Sequence, residues 1–410
     1  MKVLFSAYAC EPHRGSEPGV GWNIAKAMSQ SHEVWVFTSA THKDAIEKEL
    51  SLQPIDNLNF VYFDPLGWVY DWSQEGKRSH WDVHLHYYLW QLWAYFVGRS
   101  LHRTVDFDVA HHVTYVKYSS PSFLALLPIP FFWGPVGGGE SAPDSFWVDF
   151  NFRGKVYETV RAIVRLLGEL DPFVRLTASR SAWTWATTHD TLNRVHKLGA
   201  KKATVLSELG LSIQEIDTLS QLPTESTTLI RFISMGRLLH WKGFHLSLQA
   251  FIKADIPDAE YWILGEGPER EQLLEIANAS PQADRVKFLG RLPREVALAQ
   301  LGQCHILVHP SLHESGGWVC LEAMAAGRPV ICLDLGGPAV QVTANTGYKI
   351  PAIDPEQTIR DLALAMTDLA QHEEKRISMG LAGKQLVKNS CSWNAKANFY
   401  SEFYDKVIKL

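Results

Sequence analysis

Short apolar runs alternate with longer segments of helical spacing through most of the chain. KVLFSAY, EVWVFT, NFVYF, DVAHHVT and IPFFW read as strands, with a helix from about Val20 to Ser29 and another after His42. These strands are apolar on both faces, as strands of a parallel sheet covered on both sides must be. The rhythm restarts in the second half. Leu229 to Met235 is a strand, KGFHLSLQAFIKA a helix, EYWILG a strand, PEREQLLEIANA a helix and VKFLG a strand. Cys304 to Val308 and Val330 to Leu333 are further buried-type strands, with a small-residue helix, Leu321 to Ala326, between them. Near the C-terminal end, Trp393, Phe399, Tyr400 and Phe403 recur at helical spacing.

A length of 410 residues exceeds one ordinary core, so two α/β domains are expected. The restart of the pattern places them at 1–200 and 201–392, with a hinge near 195–225 around the polar stretch QLPTESTT. A net charge of -5 offers no global attraction to nucleic acid or anionic lipid. Cys10, Cys304, Cys320, Cys332 and Cys391 are scattered without metal-type spacing, which fits a reduced, cytoplasmic setting and no structural metal. No apolar stretch reaches the ~18 residues of a spanning helix. Lys2 followed by Val3 to Cys10 has the outline of a short signal peptide. The helical GSEPGVGWNIAKAM and the strand EVWVFT follow directly, so it reads better as a first strand.

The segment HPSLHESGGWVCLEAMAAGRPVICLD carries two carboxylates, Glu314 in the loop after one strand and Glu322 in the second turn of the helix. Ligands of open parallel sheets bind at the carboxyl ends of the strands. The pair therefore faces a ligand site, beside the helix-opening amides of Ser315, Gly316, Gly317 and Trp318. Such a set of groups suits a phosphorylated polyol.

This segment resembles the Glu-x7-Glu signature of retaining glycosyltransferases of the family-4 type (glycosyl transferases group 1), which have the GT-B fold. The resemblance implies two Rossmann-like domains facing each other across a cleft, with the final helix, 393–410, crossing back to the first. The first domain would bind the acceptor and the second the nucleotide sugar. It makes Glu314 the ligand of the donor sugar and Glu322 that of the ribose. It also makes Arg237 and Lys242, in Gly236-Arg237-Leu238-Leu239-His240-Trp241-Lys242-Gly243, the cations that hold the pyrophosphate. Arginine can grip a phosphate through two parallel N–H bonds, whereas lysine is a mobile point charge. Gly265-Glu266-Gly267-Pro268 fails as a dinucleotide G-x-G-x-x-G because Arg270 stands at the third glycine; the family uses such a segment to shape the nucleotide pocket. Arg291, after Gly290, lies where the family contacts the base.

In the first domain Gly15 and Ser16 match a loop in which the family has two glycines. One of His111 and His112 should face the ligand side. His112 is the candidate, against a reading as a hydrogen-bonded core histidine. After IPFFW the family commonly places a sugar-contacting histidine. Here the chain reads Trp133-Gly134-Pro135-Val136-Gly137-Gly138-Gly139-Glu140, so Gly137 and Gly138 are backbone contact candidates and no histidine is carried over. Asp106 and Asp108 precede their strand, the wrong edge of the sheet for a metal-bound nucleotide.

Eleven of the fifteen tryptophans precede residue 200. The stretch from Trp68 to Phe96 is so aromatic that it reads as core, as a wall for sugar rings, or as a peripheral membrane contact. The expected function is retaining transfer of a hexosyl group from a UDP- or GDP-linked sugar to a glycan, lipid-linked or small-molecule acceptor, with no further cofactor. The rivals are a nucleotide-sugar epimerase on the same fold and a non-catalytic nucleotide-sugar-binding regulator.

Overall fold

The computed structural model describes residues 1–70, 80–223 and 229–408. Part of the aromatic stretch and part of the expected hinge lie outside these residues. The chain forms two compact units, each built on its own sheet.

The first unit holds Met1–Gly139, Ile163–Gly210 and Trp393–Leu410. Its strands are β1 (Lys2–Ala7), β2 (Glu33–Thr38), β3 (Leu58–Tyr62), β4 (Val109–Thr114), β5 (Phe131–Val136), β6 (Trp183–Ala186) and β7 (Ala203–Val205). They form a seven-stranded sheet in the order β3-β2-β1-β4-β5-β6-β7, and every pairing is parallel. All of β4 and β5 is buried, as a sheet covered on both faces requires. The long helix His80–Val105 supplies Tyr87, Trp90 and Ala94 to this core, so its inner face is core.

The C-terminal helix Trp393–Ile408 also belongs to the first unit. It buries Trp393, Ala397, Tyr400 and Tyr404, the i, i+4, i+7, i+11 row of an amphipathic helix. Trp185 of β6 meets Tyr400 at 4.9 Å and Phe403 at 5.6 Å between ring centroids. The Tyr404 hydroxyl bonds His111 Nδ1, while His111 Nε2 lies 2.6 Å from the Gly134 carbonyl oxygen. A carbonyl only accepts, so Nε2 carries the hydrogen.

The second unit holds Glu140–Ala162 and Leu211–Ser392. Its strands are β8 (Ile230–Met235), β9 (Ala259–Leu264), β10 (Val286–Gly290), β11 (Ile306–His309), β12 (Val330–Leu333) and β13 (Gly347–Ile350). The six-stranded parallel sheet has the order β10-β9-β8-β11-β12-β13.

These boundaries differ from the expected 200/201 division in two ways. Residues up to Gly210 stay with the first unit, and Glu140–Ala162 joins the second although it directly follows first-unit strands. Phe146 and Phe150 explain the second difference, since both are buried in the core around Phe244 and Leu238. The expected hinge also contains a helix, Ile213–Ser220, whose Ser212 and Glu215 form a reciprocal capping box.

Burial pushes the imidazole of His111 down to about 3 and that of His112 to about 4. The fold holds both neutral, so the unfolded chain binds protons that the native state refuses below about pH 6.5. Stability should therefore be full above that pH and fall steadily as pH drops toward 3. Tyr404→Phe should cost about 1–3 kcal/mol by leaving a buried acceptor unsatisfied. Urea midpoints across this pH range test both. A profile flat between neutrality and pH 5 would contradict the assignment.

Candidate functional site

In the second unit β8 and β11 are neighbours, and the strand order runs outward from them in both directions. That is the switch point at which ligands of open parallel sheets bind. The loops leaving the carboxyl ends of β8 and β11 carry the two strongest motifs of the sequence. They are held together by backbone, since the Leu312 N–H donates to the Trp241 carbonyl at 2.8 Å. Gly243 has φ 65°, and a Cβ there would lie 2.1 Å from the Pro310 carbonyl oxygen, so only glycine allows this approach.

The approach brings Lys242 to Glu314. Lys242 Nζ donates to Glu314 Oε2 at 2.8 Å, and His309 Nε2 is 2.6 Å from the same oxygen. Burial raises the Glu314 carboxyl, but the charges and hydrogen bonds of Lys242 and His309 outweigh it and hold the group well below the usual carboxylate range. Glu314 is thus ionised, and its side chain remains 22% exposed. Lys242 spends one of its three N–H donors on this pair, leaving two for a ligand. Arg237, on the β8 loop, is exposed and has no ion pair among the described residues.

Glu322 differs. It is buried in the helix Trp318–Ala325, and burial raises its carboxyl even though Arg294 donates to Oε1 at 2.8 Å through Nη2. Arg294 also lies 3.0 Å from Glu215. The structure therefore gives Glu322 an arginine partner that the sequence reading missed.

Gly236, Gly265 and Gly267 shape the neighbouring wall. Gly236 N–H donates to the Leu264 carbonyl and Leu238 N–H to that of Glu266, tying the β8 loop to the β9 loop. Arg291 stands exposed just past β10. In the Glu314 loop, Ser315 Oγ donates to Glu140 Oε2 at 2.7 Å and the Gly316 carbonyl accepts from Gln341 Nε2 at 3.0 Å. Gly317, with φ 104°, caps the helix that Trp318 begins. Gly337 N–H reaches the Glu314 carbonyl at 2.7 Å, another contact the sequence reading did not foresee.

A second buried carboxylate fastens both loops from outside. Glu158 Oε1 accepts from His240 Nε2 at 3.1 Å and from His313 Nε2 at 2.8 Å. Burial raises its carboxyl, yet these bonds bring it down to about 2. His240 is two residues from Lys242, and His313 adjoins Glu314. Trp241 stacks between Tyr157, at 4.8 Å, and His313, at 5.4 Å. No sequence pattern links residue 158 to loops some 80 and 155 positions away.

The remaining candidates belong to the first unit. Gly15 caps the helix Ser16–Met28 and is exposed, while Ser16 has φ 60°, the region a glycine would adopt without strain. The structure corrects the reading of His112. It is 1% exposed, with Nε2 on the Tyr115 carbonyl at 3.1 Å, so it is a core histidine and faces no ligand surface. Gly137 is also buried, and its N–H donates to Val116 and its carbonyl accepts from Tyr118, which leaves neither group open to a ligand. Gly138 has φ 87° and open space where a Cβ would lie. Asp106 and Asp108 are exposed, Asp108 bonding the Lys2 amide at 2.7 Å. Among the described residues no cluster of histidine, cysteine and carboxylate could hold a metal.

Glu158→Ala would leave two imidazole N–H groups buried without their acceptor. It should lower unfolding free energy by about 1–3 kcal/mol, and Glu158→Gln, which keeps an acceptor oxygen, should recover much of it. Urea denaturation of the three proteins measures this, and an unchanged alanine variant would remove Glu158 from the account.

The glycosyl transferases group 1 family matches residues 216–386. The chain is 32% identical over 145 residues to the 2-deoxystreptamine N-acetyl-D-glucosaminyltransferase of Streptomyces fradiae, covering 34% of each. It is 34% identical over 191 residues to the 2-deoxystreptamine glucosyltransferase of Streptomyces kanamyceticus, covering 46% of this chain and 48% of that one. The match thus spans a third to a half of these curated relatives. Over its whole length the fold is similar to Anabaena HepE, solved in complex with UDP, with 15% identity, TM-score 0.63 and coverage of 99% of this chain and 100% of that one. With the lipopolysaccharide outer core galactosyltransferase WaaB the TM-score is 0.64 at 14% identity, with coverage of 99% and 100%. The chain has the GT-B fold, and it is the second unit that resembles the glycosyl transferases group 1 family.

Proposed function

We propose that the chain transfers a hexosyl group from a nucleoside diphosphate sugar, with retention at the anomeric carbon, to a glycan, lipid-linked or small-molecule acceptor. The observation that carries the reading is the Lys242–Glu314 pair at the switch point of the second sheet. A cation with two spare donors sits beside a carboxylate that is ionised and partly exposed. The first suits a diphosphate, and the second suits sugar hydroxyls.

In this reading the second unit binds the donor and the first the acceptor. Lys242 and Arg237 stabilise the departing diphosphate as its charge grows, which lowers the barrier more than it tightens the ground state. Glu314 holds the sugar hydroxyls and Glu322 the ribose, once Arg294 shares or yields its bond. No carboxylate of the second unit's readable motifs is placed as an inverting general base, so the acceptor attacks on the face the leaving group vacates. HepE was solved with UDP and with UDP-glucose, which favours a uridine donor here.

Three outcomes are expected. Glu322→Ala should weaken nucleoside diphosphate binding by about 1.5–3 kcal/mol in calorimetry, the worth of hydrogen bonds to a charged group; unchanged affinity would cancel the ribose role. Donor turnover should persist in EDTA, because two cations already face the diphosphate. Loss restored by manganese or magnesium would overturn that. Proton NMR of fresh product should show the anomeric configuration of the donor, and an inverted coupling pattern would refute retention.

A further inference from the structure

Glu322 is held in a way that leaves half of its carboxylate open. Arg294 donates to Oε1 twice, through Nη2 at 2.8 Å and through Nε at 3.2 Å. Arginine–carboxylate pairs frequently run two parallel bonds, one to each oxygen. Here both fall on one oxygen, and Oε2 accepts no hydrogen bond among the described residues. A carboxylate oxygen so placed costs free energy until water or a ligand bonds it. The side chain is 11% exposed, so a ligand can reach it.

The arginine is itself held from behind. Its Nη2 lies 3.0 Å from Glu215 Oε1. Glu215 is not at liberty to turn away, because its Oε2 accepts from the Ser212 N–H and from the Ser212 hydroxyl, both at 2.9 Å. The capping box that opens the helix Ile213–Ser220 thus fixes an anion against Arg294. Ser212, Glu215, Arg294 and Glu322 form a chain of bonded groups that ends on Oε1, and all four belong to the second unit.

Fold stability does not account for Arg294. It is the first residue of the helix Arg294–Gly302, where the helix dipole disfavours a cation. Its side chain is 54% exposed, and so exposed an ion pair adds little to folding. Its place in the chain is more telling. The preceding residues, 290–293, leave β10 beside the Gly265 wall, where the Gly265 N–H donates to the Gly290 carbonyl at 2.9 Å. Arg294 therefore links the expected base contact, Arg291, to the expected ribose contact that it bonds.

Taking Glu322 as the ribose ligand, as the transferase reading does, we propose that Arg294 is the positioning residue of the ribose site. It fixes Glu322 by Oε1 and presents Oε2 to a ribose hydroxyl. Its charge also matters. Burial drives the Glu322 carboxyl toward its protonated form, and Arg294 is the cation that opposes this, while Glu215 works against it. Other ionisable groups on the elements packed around that helix are engaged elsewhere or neutral. Lys384 donates to the Ser220 carbonyl at 2.8 Å, His309 bonds Glu314, and Cys320 and Cys332 are buried thiols whose ionisation burial suppresses.

Calorimetry of the full chain with UDP, GDP and their 2′-deoxy and 3′-deoxy forms tests the proposal. In the wild type the better-bound nucleotide should lose at least ~10-fold in affinity when the hydroxyl on Oε2 is absent, as a hydrogen bond to a charged group implies. Glu322→Ala should bind the ribose and deoxyribose forms alike. Arg294→Ala should bring their ratio to within ~3-fold, although Glu322 is still present. Without its cation Glu322 should protonate at a higher pH. Ribonucleotide affinity should then fall from neutrality toward about pH 5 more steeply in Arg294→Ala than in the wild type. Arg294→Lys keeps the cation without the fork. It should restore the wild-type slope and only part of the ratio, and it decides the matter if the alanine variant fails to fold. A mere tether between helices would weaken both forms together, so an Arg294 variant with the wild-type ratio, or an alanine variant with the wild-type slope, overturns the proposal. If Glu322→Ala loses the ratio and Arg294→Ala keeps it, the positioning role alone falls. If Glu322→Ala keeps the ratio, or the wild type binds neither nucleotide, the ribose assignment fails and the positioning role falls with it.

Discussion

An ionised carboxylate taken out of water must be paired, and the candidate site is built around that constraint. Glu314 meets it with Lys242 and His309, which come from a loop after β8 and from the end of β11. Glu158 meets it with His240 and His313, drawn from the same two loops. Each acid ties residues far apart in sequence into one rigid patch. The loops are thus positioned before any ligand arrives, which is the condition under which fixed charges stabilise developing charge most.

The two glutamates of the signature pair are tuned in opposite directions by the same physics. Both are removed from water, which raises a carboxyl. Glu314 has two cationic or N–H partners on a single oxygen and ends well below its ordinary range. Glu322 has Arg294, itself shared with Glu215, and ends above. The first is a committed anion, the second an acceptor whose partner is divided between two acids. The proposed roles, a sugar contact for Glu314 and a ribose contact for Glu322, call for such an asymmetry.

Most strands and the position of the second-unit motifs were legible because local signals carry them. Apolar runs of strand length, the Gly236–Gly243 segment and the Glu-x7-Glu spacing are contiguous in sequence, and parallel topology then places them at one sheet edge. The unread part is non-local. Phe146 and Phe150 look like any apolar pair after β5, and nothing nearby says that they enter the core around Phe244. Glu158 meets its histidines across some 80 and 155 residues, and Arg294 reaches Glu322 across 28. His112 failed for a different reason. Period-two alternation tells which residues share a face of β4, but in a sheet covered on both sides neither face is open. Ser16 shows the converse. Its departure from the family glycine is visible in sequence, and the structure gives it the left-handed backbone that glycine would have favoured.

The helix Phe152–Leu170, polar toward the protein and apolar outward, follows from the same pairing constraint. Glu158 is drawn inward by His240 and His313 and Arg165 by the Gly139 carbonyl, and Gly168 is glycine because a Cβ there would lie 2.5 Å from the Ser119 carbonyl oxygen. Once the inner row is fixed by polar duty, helical periodicity sends most of the remaining apolar positions outward. Sequence periodicity alone reports an amphipathic helix and invites the opposite orientation, with leucines in and charges out. Only the partners of the charges decide the sign. Had the outer row served nothing, polar residues there would cost the fold nothing, since exposed positions are indifferent to the core. That it is Phe152, Val160, Ile163, Leu167 and Leu170 is the part of this molecule that its own folding does not explain.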